Sequence, residues 1–389
     1  MYESLNIELE QLKENNLYRE LKKIDRRDGA RIKVNNQWLI DFSSNDYLGL
    51  TQNKLISHSI AQGLDQYGNG AGASHLISGH YSVHDELENL SAKNTKMEKS
   101  LFFASGYIAN LSFMTSVIKK EHYVFMDRLN HASLNQGVFF SQAKFSRFNH
   151  LDYDHLELLL SKKKQLTKWI ITDGVFSMDG DIANIPKLVQ LCQKYNAYLY
   201  IDDAHGYGVL GKTGQGILEF FSDKKMINTK DLKRIIYLNT LGKSAGVSGA
   251  LMNAKKEIID YMTQKAKPYI YSTATSPALA QGIITSMQLV KESHQLRQNL
   301  ALLIHLFRTT LKIKDQLLES ITPIQPIVLN SEKKALFASL ELKKAGFFVP
   351  AIRPPTVEKN SSRLRVSISA NHTQDNIKAL VTILNQVLA

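Results

Sequence analysis

Tyr198-Leu199-Tyr200-Ile201 runs directly into Asp202-Asp203-Ala204-His205-Gly206. Four apolar or aromatic residues are too few for a helix, and they end abruptly in acids, a histidine and a glycine. The junction reads as a buried strand whose tip carries polar chemistry. The same form recurs on both sides of it. Residues 101–103 lead into Ala104-Ser105-Gly106-Tyr107, and residues 123–126 into Asp127-Arg128-Leu129-Asn130-His131-Ala132-Ser133. Residues 169–172 lead into Asp173-Gly174-Val175-Phe176-Ser177-Met178-Asp179-Gly180, and residues 235–238 into Thr240-Leu241-Gly242-Lys243-Ser244 after Asn239. Helix-like segments separate these runs. Buried strands alternating with helices predict an α/β fold with a mostly parallel, doubly wound sheet. Ligands of such sheets bind beyond the carboxyl ends of the strands, where these residues lie.

Outward from this centre the pattern changes. Leu5, Leu9 and Leu12, then Leu17, Leu21 and Ile24, recur at helical spacing, so residues 1–24 read as an amphipathic helical arm broken near Asn15-Asn16. Residues 277–311 read as one long helical stretch bridging two domains. The last ninety or so residues read strand, helix, strand, strand, helix, including a strand at 324–329, a helix at 331–344 stopped by Gly346, an alternating strand at 363–369 and a final helix at 373–388. The expected organisation is an N-terminal arm and segment over 1–55, a large domain over 56–285, and a small C-terminal α+β domain over 286–389. There is no internal repeat and no low-complexity stretch.

Composition narrows the class without choosing a function. The 389 residues are 43% hydrophobic and 22% charged, as in an ordinary globular protein, with a formal charge of +12. The densest basic cluster is Lys162-Lys163-Lys164 in a polar linker, and no stripe of interleaved basic and aromatic residues suggests nucleic acid. A diffuse positive field attracts anionic substrates such as CoA thioesters. Cys192 is the only cysteine, which excludes an intrachain disulfide and a cysteine-built metal site. Residues 1–16 are polar, with no apolar core of a signal peptide, and no stretch reaches membrane-spanning length, so a cytoplasmic protein away from membranes is expected.

The strand ends together meet the needs of one cofactor, pyridoxal phosphate. Its aldehyde needs a lysine amine, which Lys243 supplies. Its pyridine nitrogen needs a carboxylate, which Asp202 supplies at a strand tip. Its phosphate suits a helix start, and Ser105-Gly106 opens one. A competing pattern is Gly206-Tyr-Gly-Val-Leu-Gly211-Lys212-Thr213, which satisfies the phosphate-binding G-x-x-x-x-G-K-[ST] form. A true P-loop leaves its strand directly and feeds a helix at the Lys-Thr pair. Here Asp202–His205 intervene, and Gly214 and Gly216 follow at once. The rival classes are therefore a nucleotide-binding protein using Lys212 and a non-catalytic scaffold, the latter opposed by the intact Lys243, Asp202 and His131.

Asn-Asp-Tyr-Leu-Gly-Leu (45–50), Ser-Gly-Tyr-Ile-Ala-Asn (105–110), Asp-Arg-Leu-Asn-His-Ala-Ser (127–133), Gly-Val-Phe-Ser-Met-Asp-Gly (174–180), Asp-Asp-Ala-His-Gly (202–206) and Thr-Leu-Gly-Lys (240–243) closely resemble the α-oxoamine synthases. These are fold-type I pyridoxal-phosphate enzymes that condense an amino acid with an acyl thioester and release CO2. The resemblance runs from about residue 15 to the C-terminus. It implies that Lys243 forms the Schiff base and later moves the Cα proton, that Asp202 pairs with the pyridinium nitrogen, and that His131 stacks on the ring and contacts substrate. It implies further that Ser177 and His205 lie at the phenolic oxygen, and that Gly106, Tyr107 and Thr240 bind the cofactor, Thr240 at the phosphate. Asn45 and Arg365 would hold the amino-acid carboxylate, while Arg19 and Thr356 would contact substrate. Ala-Ile-Arg-Pro-Pro-Thr-Val (351–357) resembles the biotin-pathway branch, which implies L-alanine and a pimeloyl thioester, on CoA or acyl carrier protein, as substrates. Other branches include glycine C-acetyltransferase and autoinducer synthases. The family's active sites lie at a homodimer interface, across which Tyr271-Ser272-Thr273 would reach the phosphate of the neighbouring subunit's cofactor, and the chemistry needs no metal. One departure stands out: the segment 72–79 carries His75 where the family usually has arginine.

Overall fold

The five predicted strands lie in one seven-stranded sheet. Its order is Lys99–Phe103, Ala250–Ala254, Ile235–Thr240, Ala197–Asp202, Lys168–Asp173, Tyr123–Asp127 and Lys144–Phe148. Ala250–Ala254 runs antiparallel to both neighbours, and the other pairings are parallel. This computed structural model describes residues 1–163 and 166–388, so Lys164 of the basic run lies outside the described residues. The chain divides into two compact units. One comprises residues 50–176 and 182–295 and contains the large sheet; the other joins residues 1–49, 177–181 and 296–389.

In the sheet unit, burial explains the strands. Lys168–Asp173 and Ile235–Thr240 are buried at every position, so both faces of the sheet need apolar side chains. Phe113, from the helix Gly106–Ser116, packs on Tyr200 with ring centroids 4.7 Å apart and meets the edge of Trp169 at 5.4 Å. Because the four central strands are parallel, their last residues Asp127, Asp173, Asp202 and Thr240 share one edge. Cys192 lies in the helix Ile185–Tyr195 with its thiol pushed up to about 12 by burial, an inert core residue.

In the other unit, Ile24–Asp28, Arg31–Val34 and Gln37–Asp41 form an antiparallel meander, joined in parallel by Phe347–Phe348. A three-stranded sheet has the order Ile324–Val328, Arg363–Ser367, Ala351–Ile352. The helices Glu332–Lys344 and Gln374–Val387 start at Ser331 and Thr373, whose side chains accept backbone N–H groups of the first turn. Gly346, at φ +94°, follows the end of the first of them.

Two expectations are corrected. The arm is helical only over Tyr2–Glu14, and residues 17–23 are neither helix nor strand. Asn16 adopts φ +57°, the Leu17 and Tyr18 N–H groups both turn back to the Leu12 carbonyl, and Arg353 donates to the Asn16 and Tyr18 carbonyls. These bonds stop the helix, and Leu21 is left fully exposed. The stretch 277–311 is two helices, Pro277–Glu292 and His294–Thr310, parted at Ser293. Among the described residues no helix is long and apolar enough to cross a membrane.

Pro277–Glu292 packs closely on Lys54–Tyr67 through glycines. A Cβ at Gly63 would stand 2.7 Å from the Ala278 Cα, and one at Gly282 would stand 2.3 Å from Ile60 Cγ1. The first obstacle is backbone; the second is a side chain that can turn. Gly63→Val should therefore destabilise the protein by roughly 1–3 kcal/mol in denaturant unfolding, and by more than Gly282→Ala. Equal midpoints for the two variants would contradict this packing.

Candidate active site

One cavity of about 370 Å³ lies at the carboxyl edge of the large sheet, and Ser105, Gly106, Tyr107, His131, Asp202, His205, Thr240 and Lys243 all line it. Each reaches it from a strand end or the helix start that follows. Ser105 caps Gly106–Ser116, and His131 caps Ala132–Ser141 through its ring Nδ1. The N–H groups of a first helical turn have no partner within their own helix, which suits an anion at Ser105-Gly106. Gly106 also sits tight against Thr240, since a Cβ there would lie 2.7 Å from Thr240 Cγ2.

Asp202 is 4% exposed, and its oxygens accept from the Asn110 amide at 2.7 Å and the Ala204 N–H at 3.1 Å. Lys243 Nζ is 2.7 Å from His205 Nε2. A lysine ammonium only donates, so His205 Nε2 is the acceptor while the lysine is charged. The His131 ring is exposed into the cavity. Desolvation nonetheless lowers its pKa, with Asp202 opposing that shift and Lys243 reinforcing it. Beside them Asp173 pairs in register with Asp202 and accepts the His131 N–H at 2.7 Å. Burial first, and then the charge of Asp202, raise the Asp173 pKa well above the usual range. The two carboxyls thus stand side by side, and burial weighs against ionisation of Asp173.

Successive strand residues face opposite ways. Asp203 points into the core, accepts the Ile217 N–H and the Tyr237 hydroxyl at 2.7 Å each, and is pushed up to about 7 by burial. The P-loop-like stretch wraps around such carboxylates. A Cβ at Gly206 would lie 2.0 Å from Asp203 Oδ1, and one at Gly216 2.1 Å from Asp203 Oδ2. The Thr213 and Gln215 N–H groups bind Glu219, and the Lys212 N–H binds Asp223. The next helix starts only at Ile217, so the loop lacks the helix a P-loop feeds.

The remaining predicted residues lie in the other unit. Arg365 is buried; its Nε donates to the Ser177 carbonyl at 2.6 Å, and Nη1 and Nη2 both reach Asn45 Oδ1 at 3.2 Å. Ser177 is thus held by its backbone to Arg365. Arg19 Nη2 donates to Thr356 Oγ1 at 2.9 Å, and both line a cavity of about 670 Å³ with apolar walls that include Phe348, Val349 and Ile352. Arg19 reaches it from a segment that is neither helix nor strand, rather than from a helix face.

His75 stacks on Tyr269, the rings 4.8 Å apart and 6° from parallel, with its Nδ1 2.8 Å from His80 Nδ1. Burial, with help from His84 and His80, lowers it to about 3. His84 spends both ring nitrogens locally, on the Tyr81 N–H at 3.0 Å and the Thr275 carbonyl at 2.9 Å.

Residues 38–384 match the family model described as aminotransferase class I and II. The 8-amino-7-oxononanoate synthase of Nitrosomonas europaea is 40% identical over 388 residues, covering 100% of this chain and 99% of that protein. The protein of the same name from Nitrosospira multiformis is 42% identical over 95% of this chain and 92% of its own. The chain belongs to the α-oxoamine synthases of the aminotransferase class I and II family. Solved structures agree in fold. The 8-amino-7-oxononanoate synthase of Francisella tularensis superposes with a TM-score of 0.78 at 30% identity over 90% of this chain and 98% of that one. Serine palmitoyltransferase of S. paucimobilis reaches 0.91 at 23% identity over 99% and 97%, a likeness of fold alone. The fold of this α-oxoamine synthase is thus that of the fold-type I pyridoxal-phosphate transferases.

Sequence reasoning gave no role to Asn110, Ser133, Asp173 and Tyr200; the first three line the cavity, and Tyr200 bonds Asn110 from behind it. The clue available was position: Asp173 ends the strand beside Asp202, and Asn110 lies one helical turn beyond Gly106. For the decoy loop, Lys212→Ala should change unfolding stability by no more than about 0.5 kcal/mol, and added ATP should not raise the melting temperature of the wild type. A nucleotide-dependent shift lost in Lys212→Ala would restore the P-loop reading.

Proposed function

We propose that this α-oxoamine synthase condenses L-alanine with a pimeloyl thioester, with loss of CO2, to give 8-amino-7-oxononanoate and the free thiol carrier in biotin biosynthesis. The observation that carries the reading is the single cavity lined by the Lys243 amine, the Asp202 carboxylate and the His131 ring. Relatives named for this reaction align with nearly the whole chain at about two-fifths identity.

The donor set fits pyridoxal phosphate. A lysine amine, a carboxylate held by N–H donors, an imidazole face and a capped helix start are its four requirements, and Gly106 leaves room where a side chain would strike Thr240. When bound, the cofactor supplies an electrophilic aldehyde and a pyridinium ring that withdraws electron density from the substrate's α-carbon. Lys243 holds it covalently, then takes and returns the proton at the alanine Cα. Asp202 keeps the proton on the pyridine nitrogen. His131 covers the ring face and excludes water from it. His205 and Ser177 serve the phenolic oxygen; Ser105, Gly106, Tyr107 and Thr240 serve the cofactor's binding, Thr240 at the phosphate. Arg365 and Asn45 orient the alanine carboxylate, for which Arg365 offers a planar fork of donors already braced by Ser177 and Asn45. The enzyme acts in the cytoplasm as a homodimer, with the 80% exposed Tyr271 in the surface a second copy covers. Its thiol carrier is CoA or acyl carrier protein.

Purified protein should absorb visible light, and borohydride should fix a pyridoxyl mass on the peptide containing Lys243. Label on another lysine, or none, would remove Lys243 from this role. Lys243→Ala should lose turnover by several orders of magnitude, because the nucleophile and the proton carrier go together.

Donor choice rests on Arg19. A pimeloyl chain ends in a second carboxylate, and Arg19 sets a guanidinium, braced by Thr356, against apolar walls. A charge-assisted hydrogen bond there contributes about 1.5–3 kcal/mol, roughly ten- to a hundredfold in specificity. Mass analysis of products with L-alanine should show pimeloyl preferred over heptanoyl thioester, and Arg19→Leu should erase most of that preference. Equal use of both donors by the wild type would sink the assignment.

A further inference from the structure

We infer that Asn110 is the positioning residue that ties Asp202 to His131, orienting the carboxylate and fixing the imidazole tautomer through one amide. The inference rests on the cofactor roles proposed above for those two residues. Its geometry, however, belongs to the protein alone.

Asn110 is 1% exposed on the helix Gly106–Ser116, and every hydrogen-bonding group of its side chain is used. Nδ2 donates to Asp202 Oδ2 at 2.7 Å and to Ser133 Oγ at 2.8 Å, while Oδ1 accepts from the Tyr200 hydroxyl at 2.5 Å. The amide has two N–H donors and both are spent. The reverse orientation would set the amide oxygen 2.7 Å from a carboxylate oxygen, acceptor against acceptor. Tyr200 is fully buried, and burial raises its pKa well above the usual range, so it remains a donor.

The direction of the next bond follows. Ser133 Oγ accepts from Asn110, and its own hydrogen is free to point at His131 Nδ1, 2.7 Å away. The Ser133 N–H points at the same nitrogen from 3.3 Å. Two donors converging on Nδ1 make it the unprotonated nitrogen, so His131 carries its hydrogen on Nε2. On the other side, the Asn110 N–H and the Ala204 N–H fix Asp202 with both oxygens accepting. A single amide thus coordinates the two groups that would face the pyridine nitrogen and the ring. A packing residue has no need of this. Leucine would fill the same volume between helix and sheet.

The test reads the tautomer, not only turnover. In the full-length protein carrying ¹⁵N-histidine, the wild type should show His131 as the Nε2–H form, assigned by comparison with His131→Gln. Asn110→Leu and Ser133→Ala should turn that signal into a mixture of tautomers, and Ser133→Thr, which keeps the hydroxyl, should restore it. Asn110→Leu should also lower kcat by about ten- to a hundredfold with KM for alanine little changed, since the lost bond was to a charged group. Far-ultraviolet spectra and melting temperatures identify any variant that fails to fold, in which case Ser133→Ala alone decides. If both variants keep the wild-type tautomer, the backbone N–H of Ser133 suffices and the inference is wrong. Absence of pyridoxal phosphate from the wild type would instead overturn the proposed function and leave the tautomer result standing.

Discussion

A carboxylate with 4% of its surface exposed must be met by donors, and the interior around Asp202 is arranged to meet it. One bond comes from a helix side chain, Asn110, and one from the loop after its own strand, Ala204. Asp173 occupies the equivalent place on the adjoining strand, in register. Two buried like charges at that spacing are costly, and the site resolves the conflict by giving them different surroundings. Asp173 has burial and the Asp202 charge against ionisation, and both raise its pKa. The third carboxyl, Asp203, faces away and supports the glycine-rich loop. Three acids within one turn of the sheet edge therefore have three fates, and pleat and register decide which fate each receives.

The same constraint explains why the site sits where it does. Parallel strands bring their carboxyl ends to one edge, and each helix that follows begins there. The starts of Gly106–Ser116 and Ala132–Ser141 both abut the cavity, with Ser105 and His131 as their caps. Helix starts carry partial positive charge, which favours both the internal carboxylates and an anionic ligand. His131 shows how far the roles overlap. It is a helix cap through Nδ1, and that use leaves Nε2 and the ring face to the cavity.

Much of this was legible in the sequence, for identifiable reasons. Strands buried on both faces are short continuous apolar runs, and all five were visible as such. Lys144–Phe148 was not, because this edge strand mixes charged, polar and aromatic residues and is largely exposed. Nor was Ala250–Ala254, Ala-Leu-Met-Asn-Ala, which is buried throughout but has no β-branched or aromatic residue to mark a strand. The two-residue strands Phe347–Phe348 and Ala351–Ile352 are too short to carry a period. The arm misled because leucine spacing registers helical potential but not the Arg353 hydrogen bonds that end the helix. In the site, Lys243, Asp202 and His131 were legible because each stands at a strand end. Asn110 and Tyr200 lie inside a helix and a strand, where an amide or a phenol reads as ordinary packing. Their bonds join residues about ninety positions apart, and no local pattern records that.

The loop of residues 206–213 turns this difference into a general point. Its glycines and its Lys-Thr pair match a phosphate cradle, and the reason for the match is physical. Backbone N–H groups brought close together by glycine bind an anion of whatever origin. Here the anions are internal. Glu219 takes the Thr213 and Gln215 amides, and the glycines at 206 and 216 let the chain close on Asp203. A pattern of this kind specifies a site for negative charge. Whether that charge is a ligand or a side chain depends on what the fold places opposite, and a carboxylate already seated there leaves no room for the ligand.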